Sequence, residues 1–275
     1  YYMSPISFIR NPPLWIKCIS MYRGTHMQAP DFAYSLTAKK FLAMERHAHA
    51  NNDKNSLHFV SEINLTCVKH MINAAEPVQK RSIDSFYSVF AEYGLRRGVV
   101  FPTYGLAEHT VYVCSNGRLN VNCCSADLKQ GRVVSLMNDD VQMKSKNFPG
   151  CGKPEDSTGL ECEIVVESSS GELKAVTKEG GKVGEIWIRS PSVALGYWGM
   201  EGKVENENFR GVIPGKAGYY LRTGDMGFLQ NDELVVCGRK KDLILVRGKN
   251  HYPQDIERSA EAVNTRADGK YSGGI

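Results

Sequence analysis

The chain has 275 residues, of which 42% are hydrophobic and 23% charged, with a formal net charge of +4. That is enough apolar material for a sizeable core, and the Lys and Arg residues are scattered except at Arg239, Lys240 and Lys241, which sets nucleic-acid binding aside. No stretch approaches the roughly 20 apolar residues of a membrane helix, no signal-peptide pattern opens the chain, and the eight cysteines form no CxxC pair, so a soluble cytoplasmic protein with reduced thiols is expected.

In chain order, Asn11-Pro12-Pro13 followed by Leu14, Trp15, Cys18, Ile19 and Tyr22 predicts a helix with Pro in its first turn, and a second helix is expected after Asp31. Residues 41–62 lose periodicity and gain Asn, Asp and Ser, which predicts a solvated loop. Cys67 to Ile72 reads as a short buried strand. Ser82 to Gly94 carries Ile83, Phe86, Tyr87, Phe90 and Tyr93 on one helical face with Gly94 as its stop, and Val99 to Phe101 is the next strand. This order is that of a helix-covered parallel sheet. From about residue 160 the pattern becomes β-rich. LECEIVVE alternates, GEIWIRS follows Gly180-Gly181, and GFLQNDELVV is a hairpin around Asn231-Asp232. After Gly238, DLILVRG reads as a strand and Pro253 to Val263 as the start of a helix, so a new βα unit is expected there.

The chemistry-bearing residues lie between these elements. FPTYGLAEHTVYV, residues 101–113, places Tyr104, Gly105 and the carboxylate of Glu108 in the loop after a parallel strand, where open α/β sheets bind ligands. Asn73-Ala74-Ala75-Glu76-Pro77 follows another strand in the same way. Tyr104 could stack on a flat ring, small residues could let it lie on the backbone, and Glu108 is a hard oxygen ligand suited to Mg²⁺. Equally, Glu76 and Glu108 could simply cap helices. Asp225 in YYLRTGDMGF offers a carboxylate for ribose hydroxyls and Arg239 a fork for sugar or phosphate oxygens, although the first could be a turn residue and the second part of a solvated linker. His47-Ala48-His49 lacks a third metal ligand and reads as exposed loop. Cys123-Cys124 reads as packed thiols, and Gly180-Gly181-Lys182 as the start of a strand.

Taken together, NAAEP, YGLAE, YLRTGD and GRKKD, in that order, resemble the adenylate-forming superfamily of acyl-CoA synthetases, peptide-synthetase adenylation domains and luciferases. MSPISF at 3–8, APDFAY at 29–34, YGLAEHTV, SPSVALGYW at 190–198 and RGKNHYPQDIE at 247–257 resemble the fatty acyl-AMP ligases, as does Ala107 where acyl-CoA synthetases commonly have threonine. The resemblance implies an α/β fold: residues 1–237 as the later part of a large adenylation domain, with a helix-covered parallel sheet and a β-rich subdomain at 160–237, then 238–275 as hinge and start of a small α+β domain. Residues 117–149 resemble an inserted segment that restrains the small domain and favours acyl-AMP over acyl-CoA. It further implies that Asn73, Ala74, Ala75, Glu76, Pro77, Tyr104, Gly105, Leu106 and Ala107 line the adenine and α-phosphate site for ATP or AMP. Glu108 would hold Mg²⁺, Asp225 and Arg239 would bind ribose and phosphate, with Glu108 and Arg239 assisting catalysis, and Lys241-Asp242 would be the hinge. Phe8, Asp31, Phe32 and Tyr34 would edge an acyl pocket. The implied substrate is a fatty acid and the implied acceptor an acyl carrier protein or a polyketide or peptide synthase module. An acyl-CoA ligase and a catalytically silent adenylate-binding module are the alternatives. The family's phosphate loop and catalytic lysine match nothing between residues 1 and 275; Lys216, Lys249 and Lys270 do not sit in the lysine's motif. The sequence is therefore expected to be a central piece of a longer enzyme.

Overall fold

A computed structural model describes residues 2–136, 145–154, 159–176, 181–200, 204–247, 249–253, 255–257 and 259–260. Two compact units divide the chain, residues 1–120 with 149–153 and residues 121–148 with 154–275.

The first unit runs α1 (Pro5–Arg10), α2 (Pro13–Met21), β1 (His26–Pro30), α3 (Asp31–Asn51), α4 (Lys54–Ser61), β2 (His70–Ala74), α5 (Lys80–Phe90) and β3 (Val100–Pro102). The strands form a parallel sheet in the order β1-β2-β3, as the strand–helix–strand pattern predicts. Phe86 and Phe90 of α5, Tyr34, Ala38 and Phe41 of α3, and Ile16 of α2 pack with Met71 and Val100 of the sheet in one core. The strand expected at Cys67–Ile72 begins three residues later, because in-register pairing of His26 with His70 sets its start.

The loop expected over 41–62 is instead the second half of α3 followed by α4. Phe41 and Ala48 continue the buried stripe of α3 while Arg46, His47 and His49 face solvent. The Asn and Asp residues that suggested a loop are the junction itself. Asn52 ends α3 in the left-handed conformation (φ 51°), and the Asp53 side chain caps α4 by accepting from the Asn55 and Ser56 amides. Polar composition marked two helix ends rather than a solvated loop.

The second unit contains β4 (Asn120–Cys124), which starts at the unit boundary, then α6 (Ser125–Leu128), β5 (Ser145–Pro149), β6 (Glu161–Glu167), β7 (Leu173–Val176), β8 (Gly184–Arg189), α7 (Val204–Glu207), β9 (Leu221–Gln230), β10 (Glu233–Arg239), β11 (Ile244–Val246) and β12 (Lys249–His251). An antiparallel sheet in the order β10-β9-β8-β6-β7 is its centre. The expected hairpin is present: Asn231 (φ 50°) and Asp232 (φ 65°) both take positive φ, as a two-residue turn matched to strand twist requires. Residues 117–149 hold β4, α6 and β5, although 137–144 lie outside the described residues, and the strand expected in DLILVRG is present as β11, the first arm of a β11–β12 hairpin. Residues 255–257 and 259–260 are helical, as expected, whereas 261–263 lie outside the described residues. No helix among the described residues is long and apolar enough to cross a membrane.

None of the eight cysteines is in a disulfide. Burial pushes the Cys123 thiol up to about 11, as expected of a packed, neutral side chain.

Candidate functional site

The predicted site residues fall into one group in each unit. In the first, both candidate loops leave the C-terminal ends of parallel strands, β2 at Ala74 and β3 at Pro102. A bond from the Thr103 amide to the Asn73 carbonyl (3.0 Å) joins them. Ala75 stands at φ 72°.

Asp31 organises the first loop. Its carboxylate is 2% exposed and accepts from Asn73 Nδ2 (2.8 Å), the Gln79 amide (3.1 Å) and Ser82 Oγ (2.7 Å). One side chain thus ties the start of α3 to the end of β2 and the start of α5. Glu76 completes the clasp by accepting from the Phe32 amide (2.6 Å) at the N-terminus of α3, a carboxylate placed where the helix dipole favours it. The capping alternative for Glu76 is therefore what this structure shows. Asp31 and Tyr34, expected to edge an acyl pocket, are both buried. Tyr34 is fully buried, its hydroxyl donating to the Ile72 carbonyl (2.8 Å) and its ring edge-on to Trp15 and Phe86. Asn73 is also fully buried, with its side chain turned to Asp31. Phe8 and Phe32 keep an edge-to-face contact (6.1 Å), and Phe32 remains exposed.

Burial raises the Asp31 carboxyl above the ordinary carboxylate value, against the hydrogen bonds from Asn73 and Ser82. The folded chain therefore holds this proton to a higher pH than the unfolded chain does, and ionisation above that pH subtracts stability. Asp31→Asn, which preserves the acceptor to Asn73 and Gln79, is expected to raise the melting temperature near neutral pH by roughly 2–4 °C. The gain should shrink as pH falls through the folded value. A thermal scan across pH checks this, and a lower melting temperature for the variant at neutral pH would contradict it.

The second loop is a tight closure. The backbone of Tyr104 pairs with Cys114 in both directions (2.9 and 3.1 Å), and a 3-10 turn, Ala107–His109, carries Glu108 half-buried. His109 is buried, with Nδ1 2.6 Å from the Tyr112 carbonyl. Thr110 (φ 54°) and Val111 (φ 78°) occupy a region that β-branched residues rarely enter, the kind of stored strain that clusters at functional sites. A Cβ at Gly105 would stand 1.6 Å from the Val111 carbonyl oxygen, so only glycine lets the loop close. Tyr104 is 7% exposed. It is packed into the loop and does not present the open stacking face expected of it.

In the second unit, Asp225 lies inside β9, not in a turn. Opposite the single residue Ile186, β9 carries Thr223, Gly224 and Asp225, and β10 inserts Cys237 in the pairing that sets Arg239 against Asp225. Bulges of this kind re-aim side chains next to active sites, and Gly224 supplies the positive φ (72°) that this one needs. Arg239 Nε is 3.4 Å from Asp225 Oδ1, so the structure brings these two candidates together. Thr223 Oγ1 donates to the Ile186 carbonyl (2.7 Å) and accepts from the Asp225 amide (3.0 Å). Lys240–Asp242 form a 3-10 turn, exposing the candidate hinge Lys241 and Asp242.

Sequence reasoning missed Glu185. It is 6% exposed, accepts from the Gly224 amide (3.3 Å) and Lys240 Nζ (3.3 Å), and lies 3.7 Å from Arg222. The signal was a lone carboxylate inside the apolar run GEIWIRS. Lys146 was missed as well. It pairs with Asp255 (2.9 Å) and lies over the rings of Phe148 and Tyr252, while the Asn250 amide donates to the Lys129 carbonyl (2.9 Å).

Residues 1–198 match the AMP-binding enzyme family. The chain belongs to that family. It is 35% identical over 265 residues to the medium-chain-fatty-acid–[acyl-carrier-protein] ligase JamA of Moorena producens, a match covering 95% of this chain and 41% of JamA. Among solved structures, one of the fatty acyl-adenylate ligases of E. coli and L. pneumophila matches with a TM-score of 0.75 at 30% identity, covering 95% of this chain and 42% of that one. The L. pneumophila fatty acyl-adenylate ligase in complex with acyl adenylate and pyrophosphate matches with a TM-score of 0.71 at 34% identity, covering 94% and 41%. The chain thus spans about two fifths of the length of these relatives.

Among the described residues, no group of three or more His, Cys, Asp or Glu side chains could hold a metal ion. His47 and His49, two apart on α3, point to different faces. A half-buried carboxylate such as Glu108 does suit Mg²⁺, which binds through one or two carboxylates together with substrate phosphates and water.

Proposed function

We propose that the complete enzyme carrying this chain activates a medium- or long-chain fatty acid to acyl-AMP and passes the acyl group to the thiol of an acyl carrier protein or of a polyketide or peptide synthase module. A fatty-acid carboxylate oxygen attacks the α-phosphorus of ATP, the new P–O bond forms, and the bond to the bridging oxygen breaks to release pyrophosphate. The observation that carries this reading is Asp225 paired with Arg239 where β9 and β10 each carry a bulge, in a chain of the AMP-binding family. Asp225 would accept from the ribose hydroxyls and Arg239 would steady ribose and phosphate oxygens. Through their backbone and their small residues Ala74, Ala75, Gly105 and Ala107, the loops at 73–77 and 104–107 would supply the adenine and α-phosphate wall. Glu108 is the residue that would hold Mg²⁺, whose charge neutralisation assists phosphoryl chemistry. Phe8 and Phe32 remain as candidates for the acyl pocket. Eight cysteines outside any disulfide suit a reducing compartment such as the cytoplasm.

The acyl-AMP product is favoured over acyl-CoA by the segment 117–149. Its strand β5 holds Tyr252 and Asp255, beyond the hinge at Lys241, through Lys146. A large rotation about such a hinge would have to break these contacts. The test is product analysis by mass spectrometry with ATP, fatty acid and either CoA or a carrier protein. Acyl-AMP and acyl-carrier protein, with little acyl-CoA, are expected. Acyl-CoA as the main product would make the protein an acyl-CoA ligase, and no adenylate at all would make it a silent binding module.

A further inference from the structure

The bulge that carries Asp225 raises a physical problem. Three consecutive residues of β9 stand opposite one residue of β8, so the ladder cannot satisfy every amide between them. A side chain that supplies the missing acceptor fixes the conformation of the bulge, and with it the direction of the Asp225 carboxylate. Glu185, the residue just before Ile186 on β8, supplies it through the 3.3 Å bond from the Gly224 amide. Its other oxygen receives Lys240 Nζ, from the residue that follows Arg239. Both ends of the Asp225–Arg239 pair are thus flanked by groups bound to one buried carboxylate, with Arg222 as a second cation beside it. A carboxylate that is only 6% exposed is costly to keep in a strand unless its partners compensate, and these partners adjoin the proposed nucleotide site.

We infer that Glu185 is a positioning residue for ATP: its bond to the Gly224 amide holds the β9 bulge in the shape that aims Asp225 at the ribose. The inference rests on the proposed role of Asp225. Glu185 itself does not touch the nucleotide. Its loss should therefore act on ATP alone, whereas general damage to the fold would act on both substrates.

The experiment measures KM for ATP and for fatty acid, by pyrophosphate release, in the complete enzyme and in Glu185→Ala, Glu185→Gln, Thr223→Val and Asp225→Ala. Glu185→Ala is expected to raise KM for ATP about tenfold, the scale of one hydrogen bond to a charged group, with KM for fatty acid within about twofold. Glu185→Gln keeps an acceptor for the Gly224 amide and should restore most of the difference. Thr223→Val, which removes the other two side-chain bonds of the bulge, should shift KM for ATP in the same direction, and it carries the test if Glu185→Ala does not fold. An unchanged KM for ATP in Glu185→Ala, or in Thr223→Val where Glu185→Ala does not fold, overturns the inference. So do equal shifts for both substrates, or a glutamine variant as impaired as the alanine. Where Asp225→Ala raises KM for ATP and Glu185→Ala does not, only the positioning role fails. Where Asp225→Ala leaves it unchanged, the ribose reading falls and this inference with it.

Discussion

Asp225→Ala in the complete enzyme is expected to weaken ATP binding by about 10- to 100-fold while fatty-acid affinity changes little. The variant removes both acceptor oxygens proposed for the ribose hydroxyls, and hydrogen bonds to a charged group contribute about 1.5–3 kcal/mol. It also strands Arg239, whose guanidinium is paired with Asp225 across the β9–β10 ladder. Calorimetric titration of ATP into wild type and variant reads the effect directly, with a circular dichroism spectrum to show that the β sheet persists. Unchanged ATP affinity in a folded variant would remove Asp225 from the site. Arg239→Lys should give a smaller loss, because a lysine keeps the charge but not the planar fork.

Gly105→Ala should be more damaging to turnover than any conservative change at Glu108. The added Cβ would meet the Val111 carbonyl oxygen at 1.6 Å and its carbon at 2.7 Å, both backbone atoms that cannot swing aside. The loop would have to open, moving the 3-10 turn that carries Glu108. Misplacement by about 1 Å in a reacting site can cost on the order of 100-fold in rate, and a loss of that order in ATP–pyrophosphate exchange is expected. Gly24→Ala is the control, since a Cβ there meets its nearest neighbour at an ordinary 3.6 Å. Exchange within about twofold of wild type for Gly105→Ala would show that the loop closure does not set the geometry of the reaction.

Much of this was legible along the chain, and the reasons differ by element. Period and turn chemistry gave α5 from the stripe Ile83, Phe86, Tyr87 and Phe90, and the β9–β10 hairpin from Asn231-Asp232, because both signals are local. The order of the four polar motifs pointed to the AMP-binding family, which the match over residues 1–198 bears out. Capping misled the reading of residues 41–62, since Asn and Asp serve helix ends and loops by the same side-chain chemistry.

The sequence by itself determined the parallel-sheet-plus-β-rich class, the placing of the two candidate loops after parallel strands, and the residue types available for nucleotide chemistry. These depend on spacing and side-chain kind alone. Only the tertiary structure decided what each candidate does with its side chain. Asp31, Tyr34 and Asn73 carry groups suited to a pocket wall, yet they are buried and bonded to one another's elements, because α3 packs its first turn directly on the end of β2. Asp225 reads as a ribose ligand or a turn residue between glycines, and pairing with β8 and β10 draws it into a strand and against Arg239. Glu185 became visible only there, since the amide it satisfies exists as an unmet donor only when two strands of unequal count are laid side by side.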